Sequence, residues 1–462
     1  MTESTVDLEA LGAIVGAGGL RAGERVAELN PGVDPHNLGA GVVVAPASTA
    51  EVARVLAWCH DRGIAIVPHG GRTGLAGGAV STPGQIVLST HRLDRVEAID
   101  GDAGTAIVRA GVTLQRLQEA AAVHGLSPGI DLSARGSATV GGLVSTNAGG
   151  LEAFRLGVTR HRVLGLEAVL ADGRVLDDLK LVTKANEGYD VRDLFIGAEG
   201  TLGVVTRVVF ALVPRVARHA TALVACASAA DAVRLFRRFR NDDAARLTAC
   251  EAMWRTYVDV SAKVLGLESL VAFAPDATLL LLVELADDAA GSGLAALETG
   301  LGAAIEAGQA LDAVIAKNED ERARVWRLRE ESGAPERAYH HGLWFDVSVP
   351  HGALDAYTTR VRERAHALDP SFKVFMIGHL GDGNLHLSVT AGRPVPEHAQ
   401  AIAAIVYEDL VPLGGSFSAE HGIGLEKRAA LARHGDPTKR ALMAAIKQAF
   451  DPKGIMNPGK VL

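Results

Sequence analysis

The feature that most constrains this chain is the loop PHGGRTGLAGG, Pro68 to Gly78, which follows the apolar stretch Ile64 to Val67. Five of its eleven residues are glycine. Backbone N–H groups freed from side chains form an anion nest, and diphosphates are common occupants. The loop fits neither G-x-G-x-x-G nor a GK[ST] loop, so a Rossmann fingerprint and a Walker loop are both excluded here. By itself it reads equally well as a structural turn. Two further stretches tip the balance: PGIDLSARGSATVGGLVSTNAGG (Pro128 to Gly150) and GAEGTLGVVT (Gly197 to Thr206). Three tracks of backbone donors with little side-chain bulk suit a long dinucleotide lying across one domain.

Composition supports a packed chain. Of 462 residues, 52 are Gly, against a background of roughly 7%, while 48% are hydrophobic and 22% charged. That balance excludes disorder and collagen-like repeats. At about 150 residues per domain, the length suggests three domains or two large ones. The net charge of −8 provides no general field for nucleic acid or an anionic membrane. Cys59, Cys226 and Cys250 show no CxxC spacing, so a reducing cytoplasm is expected. The amino terminus, MTESTVDLEALGAIVG, lacks a basic region, and no signal peptide is expected. The apolar run Leu279 to Val283 is too short to cross a bilayer, so an integral membrane protein is not expected.

Strand and helix signals alternate through the first half. Val42–Val44, Ile64–Val67, Ile86–Leu88 and Ala106–Val108 read as strands. Ser48 to Glu51 reads as a capping box opening a helix with Val52, Val55, Leu56 and Cys59 on one face. Leu114, Leu117 and Ala121 mark another helix, closed by Gly125. Asp172-Gly173 reads as a hairpin turn, and Val204 to Val213 as a long strand ending at Pro214. Beyond Pro214 the glycines thin out. Strands are expected at 221–227, 278–284, 310–316 and 343–349, and helices at 228–240, 292–307 and 319–331, which together make a second α+β domain. Glycines return in SFKVFMIGHLGDGNLHLSV and GGSFSAEHGIG, before a helical tail ending in FDPKGIMNPGKVL.

His379 and His386 are seven residues apart across a glycine turn, a spacing that carries no weight alone. The pair Glu420-His421, in another glycine-flanked loop, adds to it. Two imidazoles and a carboxylate commonly hold a divalent cation with positions left for substrate. Satisfied or exposed histidines are the alternative at this level.

Taken together, PHGGRTGLAGG, GGLVSTNAGG and FIGAEGTLGVVT resemble the FAD-binding domain of the vanillyl-alcohol oxidase flavoproteins. GHLGDGNLH and SAEHGIG are similar to motifs of the D-lactate, glycolate and D-2-hydroxyglutarate dehydrogenase branch. The likeness runs from about residue 38 to the carboxyl terminus. It implies an α+β fold with a helical lead-in (1–37), a two-part FAD-binding domain (38–216) and a substrate or cap domain with an antiparallel sheet (217–415). A C-terminal helical segment (416–462) would return to the flavin site.

The resemblance also implies roles for residues. Gly70, Gly71, Arg72, Thr73 and Gly74 would line the FAD pyrophosphate. Asp131, Ser137, Gly141, Gly142, Thr146 and Asn147 would continue along the cofactor. Glu199, Gly200, Val204 and Val205 would hold the adenine end or the flavin linker, and Asn457 would contact the flavin. Relatives that tether the flavin use a His just after the first Gly-Gly pair. Arg72 stands there in this chain, so non-covalent FAD is expected. His379, His386 and Glu420 correspond to metal ligands, with zinc the expected ion, and His421 to the catalytic base. Arg329, in VWRLREE, corresponds to an arginine that grips the substrate carboxylate, with a solvated helix arginine as the alternative.

The chemistry so implied is oxidation of a 2-hydroxy acid to the 2-oxo acid. A metal polarises the hydroxyl, and His421 takes its proton as the C2 hydride passes to flavin N5. Trp344 stands where 2-hydroxyglutarate dehydrogenases typically carry a lysine for the distal carboxylate. Indole in place of a cation points to a D-2-hydroxy monocarboxylate, D-lactate or one with an apolar tail. D-2-hydroxyglutarate dehydrogenase, the flavin subunit of a glycolate oxidase-like complex, and a metallohydrolase using the same His/His/Glu set are the competing expectations. An electron acceptor is expected as partner (quinone, cytochrome or electron-transfer flavoprotein), nucleic acid is not, and a homodimer is allowed. Asp382 is expected to shape its turn, Cys59 to sit in the core, and His340, His341 and His351 to lie on the surface.

Overall fold

The computed structural model describes residues 6–242 and 246–462. The signal-peptide and lead-in expectations therefore fall partly, over residues 1–5, outside the described residues. The chain divides into two units. One comprises Met1–Gly150, Leu156–Arg215 and Glu420–Leu462, the other Leu151–Arg155 and Val216–Ala419. The change of texture after Pro214 falls beside the division at Arg215.

The first unit contains two sheets. In the smaller, the order is Leu20–Ala22, Val42–Val44, Ile86–Ser89, Ile66–His69, antiparallel for the first pair and parallel for the others. The helix Thr49–Arg62 joins two of these strands. Ser48 Oγ accepts the Glu51 N–H at 3.2 Å, and the Glu51 carboxylate accepts the Ala47 N–H at 2.8 Å, so the capping signal is real. The helix buries Val52, Val55, Leu56 and Cys59 against the sheet. Burial pushes the Cys59 thiol up to about 12, which leaves it an inert core residue. The larger sheet is wholly antiparallel, ordered Val96–Asp100, Thr105–Arg109, Val204–Ala211, Val163–Val169, Val175–Asp178. Its last pair is the hairpin expected at Asp172-Gly173.

The second unit is built on one seven-stranded antiparallel sheet. Its order is Asp312–Ile315, Arg218–Cys226, Leu279–Asp287, Leu247–Trp254, Lys373–His379, Asn384–Thr390, Leu343–Ser348. Helices Ala229–Arg240, Ser292–Glu306, Leu354–Leu368 and Ala399–Tyr407 cover one face. Arg255–Leu265, Glu319–Glu330 and Ala334–Ala338 pack on the other. The central strand Leu247–Trp254 has no counterpart among the sequence expectations. All of its residues are buried, so LTACEAMW lacks the alternation that betrays a half-exposed strand. Among the described residues, no helix is long and apolar enough to cross a membrane.

Candidate active site

In the first unit the glycine loop, the segment after it and the 420–421 loop line one open cleft of about 1380 Å³, solvent at its mouth included. Gly70 to Gly74, Gly141, Gly142, Thr146, Glu199, Gly200, Val204, Val205, Glu420 and His421 all reach it. Two backbones meet here. A Cβ on Gly71 would lie 2.0 Å from the Ser137 carbonyl oxygen, so no larger residue fits.

Seven non-glycine residues among those described have positive φ, and four of them are Arg72, Asn147, Glu199 and Asn457. Backbone strain of this kind concentrates where a binding surface is over-determined by its surroundings. Asp131, Ser137, Asn147 and Asn457 are not among the residues that line the cleft. Asp131 pairs with Arg135 at 2.6 Å, and the Asn147 side-chain oxygen accepts the Arg160 N–H at 2.9 Å. Asn457 Nδ2 donates to the carbonyls of Gly78 (3.0 Å) and Glu199 (2.8 Å), tying the tail to two lining segments.

Arg72 presents the clearest demand for a ligand. Its Nε is buried with no hydrogen-bond partner, and burial lowers the guanidinium pKa. An anion at this point of the cleft would satisfy it, which fits the diphosphate of a dinucleotide. His69 is otherwise engaged. Its Nε2 donates to the Ala79 carbonyl at 2.7 Å, and burial takes its pKa down to about 4, so the ring is neutral.

Glu199 has a structural task that the sequence did not reveal. Its carboxylate accepts the backbone N–H groups of Ile423 (2.7 Å) and Gly424 (2.8 Å), which fixes the loop carrying His421. Burial raises its pKa in spite of those two bonds. On the other side of the loop, a Cβ on Gly424 would lie 1.8 Å from the Ala76 carbonyl oxygen. His421 Nε2 lies 3.6 Å from Glu420 Oε1.

In the second unit, His379 ends one strand of a hairpin and His386 lies in the next. Their ring centroids are 5.4 Å apart and nearly perpendicular, a separation at which two imidazoles can share one cation. Asp346, opposite His386 in the register, puts Oδ1 3.7 Å from its Nδ1. Asp382 Oδ1 accepts the Asn384 N–H at 3.0 Å, shaping the turn as expected. His351 is a correction. It is not a surface residue like His340 and His341: half-buried against Phe236, it donates from Nε2 to the Leu380 carbonyl at 2.6 Å and pins the hairpin turn.

Arg329 is buried, which removes the solvated-helix alternative. Its Nη2 lies 2.7 Å from Oε2 of Glu251, a carboxylate that sequence reasoning missed. Only a lone acid inside an apolar run could have flagged it. Trp344 is 48% exposed and donates from Nε1 to Glu336 at 2.9 Å. It lies two residues from Asp346 and so on the same sheet face.

Two family models match this chain. The FAD binding domain family matches residues 40–178, and the C-terminal domain of FAD linked oxidases matches residues 215–461. A mitochondrial D-2-hydroxyglutarate dehydrogenase of Bos taurus is 37% identical over 422 residues, 91% of this chain and 76% of that one. The D-2-hydroxyglutarate dehydrogenase of Xanthomonas citri pv. viticola is 35% identical, covering 91% and 88%. Among solved structures, p-cresol methylhydroxylase with substrate bound superposes with a TM-score of 0.74 at 16% identity, over 98% of this chain and 95% of that one, a likeness of fold alone. With a family match over more than half its length and such relatives along nine-tenths of it, the chain belongs to the FAD-linked oxidase family.

Proposed function

We propose that this protein is an FAD-dependent dehydrogenase that oxidises a D-2-hydroxy acid to the 2-oxo acid, holding its flavin non-covalently and using a divalent cation, with zinc the expected ion. The observation that carries this is His421 on the wall of the same cleft as the glycine loop and Arg72. When bound, the flavin supplies a hydride acceptor and the cation a Lewis acid.

The chain's own residues do the rest. Arg72 and the loop around it neutralise the diphosphate, and no histidine stands where a flavin tether would form. His421 takes the hydroxyl proton. Arg329 orients the substrate carboxylate. His379 and His386 supply nitrogen donors for the cation, with Glu420 as the third member of the set.

Trp344 favours a monocarboxylate, because an indole hydrogen-bonded to Glu336 offers no cation to a second carboxylate. D-2-hydroxyglutarate is the second reading, favoured by the relatives. Steady-state turnover of the purified single chain with an artificial electron acceptor separates the two. A higher kcat/KM for D-lactate or an apolar D-2-hydroxy acid supports the first, and a higher value for D-2-hydroxyglutarate supports the second. Absence of turnover with every 2-hydroxy acid would overturn both.

A further inference from the structure

Glu251 sits in the middle of the fully buried strand Leu247–Trp254, with no accessible surface of its own. The register sets it opposite His379, so both side chains leave the same sheet face. Its Oε1 lies 2.9 Å from His379 Nδ1. Its Oε2 meets the Arg329 guanidinium from the helix Glu319–Glu330. A carboxylate this deep is costly unless it is paired. Here both partners are residues proposed for the active site.

The same helix is fastened at a second point. Arg322 and Trp326 both donate to Glu284, at 2.8 Å each. Arg322, Trp326 and Arg329 follow helical spacing along one face. The helix is therefore fixed against the sheet without Glu251, and the Glu251 contact serves the direction of two functional side chains.

We propose that Glu251 is a positioning residue. Its carboxylate holds the proton of His379 on Nδ1, which makes Nε2 the donor atom for a divalent cation, and the same carboxylate anchors Arg329 at the substrate end. The inference rests on the metal reading given above. Imidazole ligands depend on a partner at the second nitrogen for tautomer and orientation, and losing that partner weakens metal affinity by about 10–100-fold.

The test is calorimetric titration with Zn²⁺ of the FAD-loaded protein after chelator treatment. Glu251→Ala is expected to bind Zn²⁺ about 10–100-fold more weakly than the parent, with flavin content and absorbance unchanged. Glu251→Gln is expected to recover part of the loss, since its amide oxygen still accepts from Nδ1. Parent-like affinity in Glu251→Ala overturns the inference. If that variant fails to fold, the pair Glu251→Leu with Arg329→Met removes both buried charges together with the acceptor for Nδ1, and carries the same expectation. Parent-like affinity in His379→Ala overturns the metal reading and this inference with it. Loss in His379→Ala with full affinity in Glu251→Ala overturns this inference alone.

Discussion

The carboxylate of Glu199 accepts the backbone N–H of Ile423 at 2.7 Å, across 224 residues of chain. With the second bond to Gly424, it makes the placement of His421 depend on a side chain far away in sequence. Glu199→Ala leaves two backbone donors without their acceptor, at about 1–3 kcal/mol each. The variant is expected to lower the thermal midpoint by several degrees and, measured at saturating FAD, kcat at least tenfold. Unchanged kcat would show that the loop holds itself.

Arg72 should govern cofactor retention. A charge-assisted hydrogen bond in such a site contributes about 1.5–3 kcal/mol, so Arg72→Met is expected to weaken FAD binding by roughly 10–100-fold. Fluorescence titration of the apoprotein with FAD measures it. Affinity equal to the parent's would remove Arg72 from the diphosphate site.

Glu284 predicts the acid stability of the second unit. Burial would raise its pKa, but His219, whose Nδ1 lies 3.0 Å from the carboxylate, and the hydrogen-bonded Arg322 outweigh that and bring it to about 2. A carboxylate with a lowered folded-state pKa contributes stability that is fully present above the unfolded value. That stability is lost as pH falls through the folded one. Denaturant unfolding at stepped pH should show stability falling between the ordinary value of 4.5 and about 2. Glu284→Ala, by stranding Arg322, should cost about 3–5 kcal/mol at neutral pH and flatten that acid slope. A slope identical to the parent's would contradict this.

Trp344 sets the expected preference for one carboxylate over two. Trp344→Lys combined with Glu336→Gln installs a cation and removes the acid that would neutralise it. The ratio of kcat/KM for D-2-hydroxyglutarate to that for D-lactate is expected to rise about 10–100-fold, the scale of one charged hydrogen bond. An unchanged ratio would place the distal end of the substrate elsewhere.

Much of the first unit was legible in the sequence because its demands are local. Gly71 must be small where it meets Ser137, and Ser48 must cap its helix, whatever lies further along the chain. The second unit was legible in its flanking elements and opaque at its centre. The strand Leu247–Trp254 is buried on both faces, so it shows no period, and the importance of Glu251 emerges only when His379, 128 residues on, is paired beside it. His351 was missed for a related reason: its partner is a backbone carbonyl in a turn, which leaves no trace in residue type.

The most direct test of the account is anaerobic reduction of the bound flavin, followed by its absorbance. Parent protein mixed with a panel of D- and L-2-hydroxy acids is expected to bleach with the D series. His421→Ala should do so about 10²–10⁴-fold more slowly, the usual contribution of a positioned base, and chelator treatment should slow the parent as well. Flavin reduction as fast in His421→Ala or in the chelated protein as in the parent would contradict the proposed chemistry.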